Sequence, residues 1–148
     1  MEFLECFDTL SSDELTLKLT EKYPGDEEGV LPFYYYDIYV NSTNKFAGKI
    51  SVRIGNNKHS YYNGHIGYYV EPEQQGHGYA CKASRLVLPV AKAHGMKKIY
   101  IPCKESNIAS YKTIENLGGV YIETVNIPEW CFFYYEGIED YRIYELLL

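Results

Sequence analysis

Between Phe46 and His94 the hydrophobic period changes, and it changes at a pair of glycines. Upstream, Phe46, Gly48, Ile50, Val52 and Ile54 alternate with Ala47, Lys49, Ser51 and Arg53, the two-residue period of a strand with one buried face. Downstream of Gly76 and Gly78, the residues Ala80, Ala83, Val87, Val90 and His94 recur every three or four positions, the apolar stripe of an amphipathic helix. The segment from Tyr68 to Ala80 therefore joins a strand directly to a helix. The amides of a first helical turn lack internal partners, and the helix dipole favours negative charge there, so phosphates bind such a junction without a basic side chain. Glycines let the backbone come close and adopt angles that side chains forbid. A Gly-x-Gly before a helix is also an ordinary tight turn, so this spacing alone leaves both readings open. Two common nucleotide motifs are absent: no Gly-x-x-x-x-Gly-Lys-Ser/Thr occurs, and no Gly-x-Gly-x-x-Gly, because Ser84 and its neighbours continue the helix.

The rest of the chain extends the pattern. Leu15, Leu17 and Leu19 alternate with polar residues and predict a strand, followed over Glu21 to Pro32 by a loop with at most one short helix. Phe33 to Val40 predicts a second strand, closed by Asn41, Ser42, Thr43 and Asn44. A fourth strand is expected from about Tyr61 to Val70, stopped at Pro72, which makes the first half an antiparallel meander. Pro89 is expected to kink the helix that Gly95 ends. Ile99 to Cys103 reads as a buried strand, Ile108 to Leu117 as a helix ended by Gly118 and Gly119, and Val120 to Val125 and Ile143 to Leu148 as strands. Strands first, then strand, helix, strand, helix, strand specify an α/β mixed sheet with helices on its faces. With 148 residues, a single domain spanning 1–148 is expected.

Composition removes several function classes. The formal charge is −6 and no run of lysine or arginine is present, so nucleic acid is not an expected partner. Cys6, Cys81, Cys103 and Cys131 show no metal-binding or redox spacing, and no metal is expected. Residues Met1 to Leu10 contain Glu2, Glu5 and Asp8 and lack the pattern of a signal peptide, and no apolar run approaches the ~20 residues of a membrane span. No membrane association and a cytoplasmic location follow as expectations. The 17 tyrosines suit half-buried strands and wet clefts.

Gln75-x-x-Gly78-x-Ala80 resembles the Gln/Arg-x-x-Gly-x-Gly/Ala motif of the GNAT superfamily of N-acetyltransferases. A second block, Asn107-Ile-Ala-Ser110 continuing to Leu117-Gly118-Gly119, resembles the family's Asn-x-x-Ser/Ala helix that ends in Leu-Gly-Phe or Gly-Gly. Two motifs in the right order and separation are far more specific than either alone. The resemblance covers roughly Phe46 to Val125, and the first 30 residues match poorly.

The resemblance implies an acyl-CoA N-acyltransferase fold, a mostly antiparallel central sheet with a splayed parallel pair and flanking helices. It implies acetyl-coenzyme A as co-substrate and direct attack by a primary amine, of a small molecule or a peptide, with no metal. The backbone of Val70 and Glu71 would bond the pantetheine arm, and Gln75, Gly76, His77, Gly78, Tyr79 and Ala80 would cradle the pyrophosphate. Asn107 would contact the pantetheine, and Ser110 would sit near the sulfur. Many relatives carry a tyrosine acid seven residues after the asparagine, where this chain has Ile114. Ser110 is then the candidate acid, as in the branch resembling ribosomal-protein acetyltransferases, with helix capping as its plain alternative and Tyr111 as a neighbour able to serve. His65 is the candidate base because imidazole titrates near neutrality, with a structural role as its alternative and Glu71 or a chain of waters as substitutes. Relatives have one or two helices between their first two strands where this chain offers only Glu21 to Pro32, so a second subunit or the segment Trp130 to Tyr135 is expected to close the acceptor site, and a homodimer is the working expectation. Two rivals stand beside the transferase: a coenzyme A sensor without turnover, and an interaction module in which Gly76 and Gly78 only turn the chain.

Overall fold

The computed structural model describes residues 1–148. In chain order the elements are β1 (Thr9–Ser11), β2 (Leu15–Tyr23), β3 (Phe33–Val40), β4 (Lys45–Arg53), α1 (Ser60–Asn63), β5 (Ile66–Val70), α2 (Tyr79–Ala93), β6 (Lys98–Lys104), α3 (Ile108–Leu117), β7 (Val120–Val125) and β8 (Tyr141–Leu147). Strands β1 to β5 form an antiparallel meander in sequence order, and β6, β8 and β7 form a second sheet with β8 in the middle. This is the mixed α/β architecture that the sequence pattern implies.

Side-chain alternation fixes the register. Leu15 and Leu17 lie opposite Val40 and Ile38, and Tyr36 and Tyr34 lie opposite Ile50 and Val52, all of them buried. A slip by one residue would turn each of these to the wrong face. Helix α2 lies across β2, β4 and β5 and buries Ala83, Val87, Val90 and Ala91 against them, while α3 packs beside α2. A core of 22 buried residues draws on both sheets and both long helices. Burying each such aliphatic side chain contributes about 1.5–3 kcal/mol.

The two sheets meet at one point. His65 donates its backbone N–H to Tyr100 O at 2.9 Å, and no ladder pairs β5 with β6 beyond it. The strands joined through α2 thus splay, opening the edge of β5 at Val70.

Several expectations on element boundaries are corrected. The fourth strand begins at Ile66 and not near Tyr61, because Ser60 to Asn63 form a helical turn that Gly64 ends at φ +77°. Strand β2 runs on to Tyr23, into the expected loop, and a short 3-10 turn at Glu5–Phe7 and β1 precede it. Helix α2 continues through Pro89, which is exposed, so its missing N–H falls on the solvent side. No helix is long and apolar enough to cross a membrane.

Candidate active site

The splay opens into a cavity of ≈ 410 Å³. One wall is the edge of β5, with Tyr68 and Val70; the floor is the loop and first turn of α2, with Gln75, Gly76, Gly78, Tyr79 and Ala80; the far wall is the start of α3, with Asn107, Ser110 and Thr113. Eight residues singled out from sequence therefore share one cavity: Val70, Gln75, Gly76, Gly78, Tyr79, Ala80, Asn107 and Ser110.

The loop is built for an anion. Gly76 and Gly78 sit at φ +88° and +73°, a region costly for side-chain-bearing residues. No side chain caps α2, and no amide from Gly76 to Cys81 donates to a protein acceptor; the first bond after the turn is Lys82 N to Gly78 O at 3.0 Å. A row of unspent N–H groups at the positive end of a helix is the arrangement that phosphates use. Gln75 braces the loop, its Nε2 donating to Val70 O at 3.1 Å. His77 stacks on Tyr79 with ring centroids 5.1 Å apart but does not line the cavity, so its part in the loop is through backbone.

At the other end of the cavity, Asn107 caps α3 by accepting from Ser110 N at 3.1 Å through Oδ1, which leaves its amide N–H₂ to a ligand. The capping alternative read from sequence is thus realised in Asn107. Ser110 Oγ lies 2.8 Å from Tyr68 OH. Burial raises the pKa of Tyr68, so at neutral pH the phenol holds its proton and can give it through Ser110. Tyr68 was not singled out from sequence. Its signal was there: it precedes Val70 by two positions on a strand and therefore shares the face of a residue expected to line the site.

Ile114 is buried in the core and does not line the cavity, so this chain has nothing at the position of the family's tyrosine acid. Tyr111 turns away, its ring 4.1 Å from the guanidinium of Arg142. Cys103 is buried, and desolvation pushes its thiol up to about 11, so it is no nucleophile at neutral pH.

The candidate bases are placed elsewhere. His65 is fully buried and outside the cavity; its Nδ1 accepts from Tyr100 N at 3.0 Å, and its Nε2 lies 2.9 Å from Gly55 O, to which it donates. Both nitrogens are committed, and burial lowers its pKa, so the imidazole is neutral and pins the meeting point of the two sheets. Glu71 also lies outside the cavity, and its backbone N–H is spent on Ala47 O at 2.8 Å. Of the expected Val70–Glu71 backbone contacts, the Glu71 amide is therefore already taken. Trp130 and Phe132 pack on His59, with centroids 5.5 and 5.2 Å apart, and segment Trp130 to Tyr135 lines neither this cavity nor the one below.

A second cavity of ≈ 390 Å³ opens against β3, β4 and β5 and shares Tyr68 with the first. No group of three or more His, Cys, Asp or Glu side chains is placed to hold a metal ion.

Comparison with known proteins bears on this geometry. The sequence model of the family described as acetyltransferase (GNAT) domain matches residues 4–120, reaching well upstream of the Phe46 to Val125 stretch that carried the sequence resemblance. Among solved structures, the ribosomal-protein-S5-alanine acetyltransferase of Vibrio fischeri superposes with a TM-score of 0.68 at 15% identity, covering 94% of this chain and 96% of that one. A GNAT family acetyltransferase of Bacillus anthracis gives 0.67 at 17%, covering 94% and 98%. An acetyltransferase of Salmonella typhimurium that modifies the N-terminal serine of ribosomal protein L7/L12 gives 0.65 at 14%, covering 93% and 96%. No curated protein matches the chain by sequence. The chain belongs to the GNAT acetyltransferase family and has the fold seen in ribosomal-protein acetyltransferases.

Proposed function

We propose that the protein transfers acetyl from acetyl-coenzyme A to a primary amine by direct attack. The observation that carries this reading is the run of acceptor-free amides from Gly76 to Cys81 at one end of the cavity whose other end holds Ser110 and Tyr68. The amides and the dipole of α2 hold the pyrophosphate, Val70 and Asn107 steady the pantetheine, and the thioester comes to rest beside Ser110. The amine nitrogen forms a bond to the acetyl carbon and the carbon–sulfur bond breaks. The departing thiolate takes its proton from Ser110, which is resupplied by Tyr68, and the amine loses its proton to water. His65 and Glu71 have no part in this scheme, since neither reaches the cavity. The compartment this reading assigns is the cytoplasm, with Cys6, Cys81, Cys103 and Cys131 as free thiols.

One observation favours a second reading. The buried Ile114 in place of the usual acid suits a sensor that holds the coenzyme without turning it over. Thiol release from acetyl-coenzyme A across a panel of amino acids, polyamines, aminoglycosides and peptides separates the two: amine-dependent release supports the transferase, and binding without release of thiol to any of them supports the sensor. Residues 24–32 contain no helix to cover the acceptor side, so a second subunit remains the working expectation there. Light scattering well above micromolar concentration tests it, and a monomer would remove it.

A further inference from the structure

We infer that the acceptor is an amine carrying a carboxylate close to its nitrogen, an α-amino acid or near equivalent, whose carboxylate Arg53 binds on the β3–β5 side of Tyr68. The inference rests on the transferase reading above and names the substrate class for it.

Tyr68 is the only residue that lines both cavities, so the place where acyl group and amine meet lies beside it. The second cavity carries two cations, and their accounts differ. Lys49 is neutralised, its Nζ 2.7 Å from Asp37 Oδ1. Arg53 has no carboxylate partner: one guanidinium nitrogen, Nη1, donates to Asn63 O and Gly64 O, each at 3.2 Å, and Nη2 and Nε donate to no protein atom. Both carbonyls anchor the side chain without answering its charge. Withdrawing a guanidinium from water with no counter-ion is costly, and a bound anion removes that cost. Its remaining donors form the planar fork that matches a carboxylate.

Placement sets the length of the acceptor. A Cβ on Gly67 would lie 3.0 Å from Arg53 Nη2 and 3.2 Å from Ser51 Oγ, so the guanidinium lies directly over Gly67, and the absent side chain leaves its space to the cation. Gly67 is the residue before Tyr68, about 3.3 Å along the strand. An anion on Arg53 is thus within a few bonds of an amine at Tyr68, which fits an amino acid. A polyamine would bring its second cation against Arg53 and be repelled. Tyr35 and Tyr69 supply flat apolar walls for a side chain.

The test compares thiol release from acetyl-coenzyme A with L-amino acids and with their carboxamides, alongside polyamines, while calorimetry follows acetyl-coenzyme A binding. At least one amino acid should exceed its carboxamide in kcat/KM by about tenfold or more, the value of one charged hydrogen-bonded contact. Arg53→Met should erase that preference and leave coenzyme affinity unchanged. Gly67→Ala keeps the arginine but displaces its guanidinium, and should reduce the preference in the same direction; it serves as the control if Arg53→Met does not fold. Carboxamides or polyamines that react as well as every amino acid would overturn the inference while leaving the transferase reading intact. A preference that survives both variants would also overturn it. Failure to bind acetyl-coenzyme A would take down both.

Discussion

Gly78 shows how much chemistry can depend on an absent side chain. Its backbone lies at φ +73°, and a Cβ there would meet only Lys82 Cε, at 3.9 Å. Gly78→Val should therefore fold, losing about 1–2 kcal/mol to backbone strain, yet rotate the amides on either side away from one anion. Acetyl-coenzyme A affinity measured by calorimetry should fall by about tenfold or more, whereas an interaction module would show only a lowered Tm. Ser110→Ala and Tyr68→Phe test the proton path: each should lower kcat, by about tenfold to a hundredfold, with little change in coenzyme Kd. An unchanged kcat in both would remove that path. His65 makes a different kind of prediction. Burial holds its pKa below the ordinary 6.5, so in the folded protein it stays neutral while in the unfolded chain it takes up a proton. Stability is then fully present above pH 6.5 and declines as pH falls below it. His59 and His94, also lowered by burial, act in the same direction. Thermal melts across this range should show the decline, and a Tm independent of pH between neutrality and mild acid would contradict the buried, neutral histidines.

Among the elements, α2 is the one that the coenzyme reading uses most, and Pro89 is its weak point. Proline there removes the N–H that would bond Arg85 O, on an exposed face where no packing requires it. Pro89→Ala should stabilise the protein, by up to about 3 kcal/mol, seen as a raised Tm with unaltered coenzyme binding; a lowered Tm would mean that the helix needs its present shape. Strands β2, β3 and β4 were legible because each alternates and packs on one side. Tyr61 and Tyr62 misled, since tyrosine favours strands and nothing local announced that Gly64 must turn there: a Cβ on Gly64 would lie 2.2 Å from Pro102 Cδ, a contact made across 38 residues of chain. Strand β1 and the turn before it were missed because Glu5, Asp8 and Thr9 are exposed and leave no period to read. The loop and α3 were legible as motifs, and eight of the residues they supplied share a cavity. What the pattern lacked was direction: His65 and Tyr68 stand three residues apart, and only the closing of the two sheets decides that the first is sealed in and the second faces the ligand.

Taken whole, the molecule is two sheets that meet at His65 and Tyr100 and then part, with a helix start aimed into the gap. Neither sheet alone makes the cavity, so binding there and joining of the sheets are linked. A ligand that binds only the folded chain raises Tm, by about 2.7 kcal/mol of stability at a hundredfold excess over Kd. The net charge of −6 opposes tetra-anionic ligands at long range, which leaves the local amides to supply affinity and makes binding depend on that loop more than on salt. The measurement to make is calorimetric titration of the purified protein with acetyl-coenzyme A. One site with micromolar affinity, lost in Gly78→Val while that variant stays folded, is the predicted result; no binding by the folded native chain would contradict the coenzyme site and every step built on it.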